Sequence, residues 1–209
     1  MKRILSILTT IVIIAFTSCK QEKKESFKDV EETENKLEVS YVANPDGTTV
    51  QWTAYKTSKK KPVSGVFNTI NFNKKMGDTP IEALNNIEFS IPISSIFSEN
   101  EERDEKLKTN FFGAMLDTEL LKGKVSFNKS GACNIEITMN GESHSLPFNY
   151  RVDKNFVNLK GTMNLEDWNT LGAIESLNKV CFDLHKGEDG ISKTWSDVTI
   201  EVKTTLMLY

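Results

Sequence analysis

From residue 37 onward the apolar positions of the chain recur at every second residue. Val50, Trp52 and Ala54 share one face of Thr49–Tyr55. Val63, Gly65 and Phe67 share one face of Pro62–Phe72, with Val66, Ile70 and Phe72 on the other. Ile87, Phe89, Ile91 and Ile93 fall together, as do Cys133, Ile135, Ile137 and Met139. Asn140-Gly141 follows, the dipeptide that most strongly marks a two-residue hairpin turn, and the return strand carries His144, Leu146, Phe148, Tyr150 and Val152 on one face. Val157 to Leu165 and Val198 to Leu206 continue the alternation. Short alternating segments separated by turn-rich loops predict an all-β antiparallel sandwich or barrel of about eight or nine strands.

Two segments depart from this period. Ser98-Glu99-Asn100-Glu101 fits a capping box and predicts a helix start. Glu102 with Lys106, and Asp104 with Lys108, then stand at i,i+4 on its exposed side. Trp168, Leu171, Ile174 and Leu177 fall near helical spacing and predict a second helix over Trp168–Asn178. The expected architecture is an eight-stranded antiparallel barrel with two short helical insertions. Closure removes exposed sheet edges, and a barrel of this size has room for its own side chains or for one narrow ligand.

The first residues do not belong to that domain. Lys2 and Arg3 precede the apolar run Ile4–Phe16, whose 13 residues fall short of the ~20 that a membrane-crossing helix needs. A basic start, a short apolar stretch and small residues predict an export signal over residues 1–18. Its ending, Phe16-Thr17-Ser18-Cys19, resembles a bacterial lipobox with Phe16 in place of the usual Leu. Cys19 is therefore the expected lipidation site, and more than one acyl chain holds a soluble domain stably at a bilayer. Residues 19–36, dense in Lys and Glu, read as a charged flexible tether that buries too little surface to order itself. The barrel domain is expected over 37–209, and the location as the cell envelope, on the periplasmic side or the outer face of the outer membrane.

Composition narrows the function classes. The chain has 38% hydrophobic and 26% charged residues, with 26 Lys+Arg against 29 Asp+Glu, a net charge of −3. Without Lys2 and Arg3 the balance becomes 24 to 29, a net of −5. A nucleic-acid partner using a strongly basic face is not indicated. With Cys19 acylated, Cys133 and Cys181 remain, an even pair in a compartment that tolerates disulfides. Paired, they would close a loop of about 50 residues and stabilise by roughly 4 kcal/mol; the other reading is two buried free thiols. No G-x-S-x-G, H-E-x-x-H or P-loop pattern occurs, so no enzyme class or cofactor is expected. Cys181-x-Asp183-x-His185 matches no established zinc spacing, and no metal is expected.

Three blocks resemble the YceI-like lipid/polyisoprenoid-binding family of exported bacterial proteins. They are Val50-x-Trp52 leading to Val63-Ser64-Gly65-Val66-Phe67; Asn100-Glu101-Glu102-Arg103-Asp104-Glu105-Lys106-Leu107 followed by Phe111-Phe112; and the hairpin of Gly131 to Tyr150 with Gly141 at its turn. Two places depart from the family pattern. The place where the first strand ends and a His is frequent falls near Lys56, and Asn164 to Asn169 replaces a later R-x-D-F-G block. The resemblance implies a lipocalin-like barrel whose hydrophobic tunnel holds an isoprenoid or other lipid tail without chemistry. Phe67, Phe89, Ile91, Phe127, Ile135, Ile137, Leu146 and Phe148 are the candidate lining. Alternation by itself describes a filled core equally well. Arg103 and Asp104 either meet a polar head group at the tunnel mouth or fix a solvated helix to the barrel. The competing reading is a structural or stress-related surface lipoprotein with a filled barrel and a protein or glycan partner. Oligomeric state is left open.

Overall fold

The computed structural model describes residues 39–117 and 119–209, all within one unit, Leu37–Tyr209. The expected signal segment, Cys19 and the tether lie outside the described residues. In chain order the strands are β1 (Tyr41–Ala43), β2 (Thr48–Lys56), β3 (Lys61–Phe67), β4 (Lys75–Gly77), β5 (Glu88–Pro92), β6 (Ile96–Phe97), β7 (Leu120–Phe127), β8 (Cys133–Met139), β9 (Glu142–Asp153), β10 (Phe156–Asn164), β11 (Thr194–Thr205) and β12 (Met207–Leu208). The helices are α1 (Pro80–Leu84), α2 (Glu101–Lys106) and α3 (Leu171–Val180).

Nine strands form one antiparallel sheet in the order β5-β7-β8-β9-β10-β11-β2-β3-β6. Its two edges, β5 and β6, are consecutive in the chain and separated only by a 3-10 turn at Ile93–Ser95. Asn71 exchanges two backbone hydrogen bonds with Ser90 (2.8 and 2.9 Å), and Asn68 N donates to Ser95 O (2.9 Å) across the remaining seam. The sheet thus curls into a nearly closed barrel, with one bent strand counted twice; this is why nine strands appear instead of eight. The β8–β9 hairpin turns at Asn140 (φ +52°) and Gly141 (φ +76°), both left-handed as a two-residue turn requires. The same alternation predicted over Pro62–Phe72 stops being a strand at Phe67, because only Asn71 of its second half finds a ladder partner.

One end of the barrel, the base, is covered by a second sheet in the order β12-β1-β4 and by α1. Thr79 caps α1, its Oγ1 accepting from Glu82 N at 3.2 Å. The pattern at Tyr41–Ala43 and Met207–Leu208 is too short to have predicted this closure.

The other end, the mouth, carries the two helical insertions. The first starts later than its capping box suggests. Glu99 is left-handed (φ +58°), which turns Ser98 out of the cap position. Asn100 caps α2 instead, its Oδ1 accepting from Arg103 N at 2.8 Å. Ser98 donates to Asp104, from Oγ to Oδ1 at 2.5 Å and from N to Oδ2 at 3.2 Å. Asp104 is consequently buried and does not pair with Lys108, whereas Glu102 and Lys106 do pair, at 2.6 Å. After α2 the chain widens into a π turn at Leu107–Phe111 and closes with a 3-10 turn at Phe112–Ala114. The second insertion is broken by left-handed Asn169 (φ +55°) into a 3-10 turn, Leu165–Trp168, and α3. Ala173, Ile174 and Leu177 are the buried face of α3, and Leu171 is exposed rather than part of it.

Candidate binding tunnel

The pleat sends alternate residues of every barrel strand inward, and the observed registers place those residues opposite one another. Trp52 faces Ile200, Ala54 faces Val198, Ile137 faces Gly123 and Ile135 faces Leu146. They do not meet at the axis. They enclose a cavity of about 160 Å³ in which every lining side chain except Thr194 is that of an apolar residue type. The lining runs along β11 from Thr194 to Val202, about 25 Å of strand, or about 20 Å along the axis at the usual barrel tilt. A register shift between Thr194 and Val198 lets the consecutive residues Thr194 and Trp195 both border it.

Three inward glycines keep this space open. A Cβ on Gly65 would stand 2.4 Å from Trp52 Cζ2, on Gly123 2.5 Å from Phe89 Cζ, and on Gly161 2.9 Å from Phe148 Cδ2. Each glycine lets an aromatic ring on a neighbouring strand lie flat against the wall, so ring bulk goes into the sheet and not into the lumen.

Six of the eight aliphatic and aromatic candidates, Phe67, Phe89, Ile91, Ile135, Ile137 and Phe148, border the cavity. Two do not. Phe127 lies at the base end, its ring edge-on to Tyr150 at 5.2 Å. Leu146 is buried in the wall, away from the open space. Leu107, Phe111 and Phe112 from the first insertion and Ile174 and Leu177 from α3 form the ceiling near the mouth. Helical spacing flagged the α3 pair as core, whereas the π turn that turns Leu107 and Phe111 inward had no sequence signal.

Beyond that ceiling lies a second chamber of mixed lining, with Val63 and Leu184 among its apolar residues. It shares Trp52, Ala54, Leu107, Leu177 and Thr194 with the apolar cavity, so the two adjoin. Its further lining includes Tyr55, Lys56, Asn100, Glu102, Arg103, Lys106, Cys181 and His185. Arg103 donates from Nη1 to the Ser98 carbonyl at 3.2 Å while Asp104 holds Ser98 from below. The two candidates therefore separate: Arg103 borders the chamber, and Asp104 is a buried anchor of α2. Burial, and next the charges of Lys61 and Arg103, hold the Lys56 ammonium below its ordinary range. His185 Nδ1 lies 2.7 Å from Thr194 Oγ1. Burial, followed by the charges of Lys56 and Lys106, pushes its imidazole down to about 4, so it is neutral at neutral pH.

Cys133 and Cys181 are both free and buried. Cys133 opens β8 at the base, whereas Cys181 follows α3 at the mouth, where Trp168 Nε1 donates to Ile137 O (3.0 Å) and Asn140 Nδ2 to Trp168 O (2.8 Å) near the far end of the same strand. The length of β8, about 20 Å, thus lies between the two cysteines, against a limit near 7 Å between bridged Cα atoms. Burial pushes the Cys133 thiol up to about 11 and also raises that of Cys181. Among the described residues no group of three His, Cys, Asp or Glu side chains is placed to hold a metal ion.

Solved structures share this architecture. A polyisoprenoid binding domain from Saccharophagus degradans, implicated in plant cell wall breakdown, superposes with a TM-score of 0.57 at 9% identity, covering 83% of this chain and 99% of that one. BcnA of Burkholderia cenocepacia superposes with a TM-score of 0.51 at 13% identity, covering 80% of this chain and 99% of that one. At such identities the likeness concerns the fold. No curated protein matches the sequence. Residues 41–206, nearly all of the barrel and its base, match the YceI-like domain, and the chain belongs to that family.

Proposed function

We propose that the protein binds an isoprenoid or other lipid-like molecule in its barrel without transforming it, while acyl chains on Cys19 tether it to a membrane of the cell envelope. The observation that carries this reading is the apolar cavity. An empty cavity of about 160 Å³ costs a fold about 4 kcal/mol at ~24 cal/mol per Å³, yet three glycines maintain it. A tail entering it gains ~25 cal/mol per Å² removed from water. The length of the lining suits an extended chain rather than a compact molecule. The polyisoprenoid-binding description of the Saccharophagus domain agrees with that ligand class. The raised thiols and the neutral, Thr194-bound His185 supply no activated nucleophile.

Native mass spectrometry of protein purified gently from its membrane tests the binding. Co-purifying mass that organic solvent extracts is the expected result, and a repeatedly clean apo mass would count against the reading. For the tether, Cys19→Ala should move the protein from the membrane fraction to the aqueous one; retention in the membrane would remove Cys19 as the anchor.

A further inference from the structure

The loop from α3 to β11 and the turn between β2 and β3 form one rim of the mouth. Thr57 N donates to Lys193 O at 2.9 Å, Trp195 Nε1 donates to Thr57 O at 2.8 Å, and Lys59 pairs with Glu188 at 2.5 Å. The rim borders both cavities, Leu184 lining the chamber and Trp195 the tunnel. Four large apolar side chains stand exposed within 12 residues of it: Val180 (43%), Phe182 (51%), Leu184 (56%) and Ile191 (57%). Exposed apolar residues scattered singly need no explanation, whereas several beside an opening mark an interaction surface.

The charges beside them indicate the partner. Lys59, Lys60, Lys61, Lys179, Lys186 and Lys193 flank the four against Asp183, Glu188, Asp189 and Asp197, a net of +2 in a chain of net −3. Lys60 and Lys193 lie over the Trp195 ring, with Nζ 4.5 and 3.5 Å from its centroid. Interfaces between proteins are depleted of lysine. Lysines around exposed Phe and Leu instead suit an anionic bilayer, where apolar tips enter the acyl boundary and ammonium groups stay among the head groups. The chain length fits as well. Cys19 stands 20 residues before Val39, a covalent reach of up to about 70 Å. The 12-residue β9 corresponds to about 30 Å along the barrel axis. A tether joined at the base is therefore long enough for the mouth to face the bilayer that holds Cys19. It also keeps the rim at a high effective concentration near that bilayer, so a few half-exposed side chains suffice.

We infer that this rim is a membrane-docking surface. Phe182, Leu184 and Ile191 enter the interface of an anionic bilayer and set the mouth against it, so that a lipid passes between bilayer and tunnel without crossing water. The inference rests on the tether and tunnel readings and adds the orientation of the barrel at the membrane.

The test uses the full chain as processed in the cell, reconstituted on mixed phosphatidylcholine–phosphatidylglycerol vesicles. Ile191→Cys carries a polarity-sensitive fluorophore, the native thiols being buried, and Met76→Cys, 60% exposed at the base, carries it in a control. Emission from position 191 should be blue-shifted and quenched by brominated lipid at least about threefold more than emission from position 76. Replacing phosphatidylglycerol by phosphatidylcholine should shrink the difference severalfold. Adding Phe182→Ser and Leu184→Ser should abolish it while the protein still floats with the vesicles; both sites are exposed, so Tm should not change. Equal quenching at the two positions in floating protein, or a difference that survives both Ser substitutions, overturns docking and leaves the tether standing. A blue shift at 191 without quenching by brominated lipid overturns it in favour of a protein partner or a second copy. Failure to float overturns both docking and tether.

Discussion

Replacing Phe148 by Ala separates a hollow barrel from a filled one. The side chain is 5% exposed, with its ring against Gly161 on the wall side and the cavity on the other. In a solid core, Phe→Ala costs about 3–5 kcal/mol, part of it for the void left behind. Here one face of the ring already borders open space, so the void penalty is partly present in the parent and the loss falls at the low end, about 3 kcal/mol. For a domain of this size that lowers Tm by roughly 6–12 °C. The distinguishing measurement is the same comparison with lipid bound. The deleted ring enlarges the lumen, and a tail that settles into it buries about half of the ~200 Å² the ring had covered. At ~25 cal/mol per Å² this recovers on the order of 2 kcal/mol. Differential scanning calorimetry of the delipidated and loaded forms should therefore give a Tm deficit at least about twofold smaller in the loaded protein. An identical deficit in both forms would mean that the ligand does not lie against Phe148, and the tunnel would have to be placed elsewhere or abandoned.

Four other outcomes follow from the same architecture. Gly161→Ala places a Cβ 2.9 Å from the Phe148 ring and should cost about 1–3 kcal/mol by overpacking while reducing lipid uptake. In a double-mutant cycle with Phe148→Ala most of that cost should disappear, and strict additivity would refute the ring-on-glycine account. Asp104→Ala leaves the backbone N–H and hydroxyl of buried Ser98 without their acceptor and should lose about 2–4 kcal/mol in urea unfolding; a change under about 0.5 kcal/mol would return Asp104 to the surface of α2. His185 is held at about 4 against an ordinary 6.5. The fold therefore favours its neutral form, and the contribution is complete above 6.5 and is lost as pH falls from there towards 4. With screening of a half-buried group allowed for, it is on the order of 2 kcal/mol. His185→Gln should flatten stability against pH in that window, and an unchanged slope would refute the assignment. Finally, iodoacetamide at about pH 8 should leave both Cys133 and Cys181 unmodified in the folded protein and modify both after unfolding without reductant; recovery of a disulfide-linked peptide pair would contradict the structure.

The wall of the barrel was legible in the sequence because the pleat is local. A residue's parity along β2, β8 or β9 decides whether it faces in, and Trp52, Ile135, Ile137 and Phe148 follow from counting. Whether inward residues meet or leave a gap is not local. It depends on Gly65 standing opposite Trp52 and Gly123 opposite Phe89 across a ladder, and the second pairing needs the register of strands that are not consecutive in the chain. The same limit separates Leu146 from Phe148: both have the inward parity, but only one lies where the walls stand apart. The helix start was misplaced because one left-handed residue, Glu99, overrode a good local motif. That misplacement hid the partner of Asp104, Ser98, which lies six residues back, although the reading of Asp104 as fixing the helix was among the expectations. Counting cysteines established parity but not that β8 would hold the two thiols at opposite ends. Lys56 was visible as a departure from the family pattern; its place on the inward face with Trp52 and Ala54 was available from the same alternation that defined the wall.

The two ends of the barrel differ in a way that sets the direction of any occupant. At the base, Ala43 and Ala83 are fully buried and Leu206 is 1% exposed, so the three-stranded sheet and α1 seal that end with apolar packing. At the mouth the ceiling of Leu107, Phe111 and Phe112 hangs on one short helix, anchored by the Ser98–Asp104 hydrogen bonds and continued by a π turn. Irregular helical hydrogen bonding of that kind is weaker than a regular α-helical ladder, and it separates the apolar lumen from a chamber lined by Lys56 and Arg103. A wholly polar molecule would gain nothing from the lumen. In the proposed reading the tail points towards Phe67 at the base and any polar end stays at the mouth, because only that orientation buries apolar surface without stranding a polar group in it.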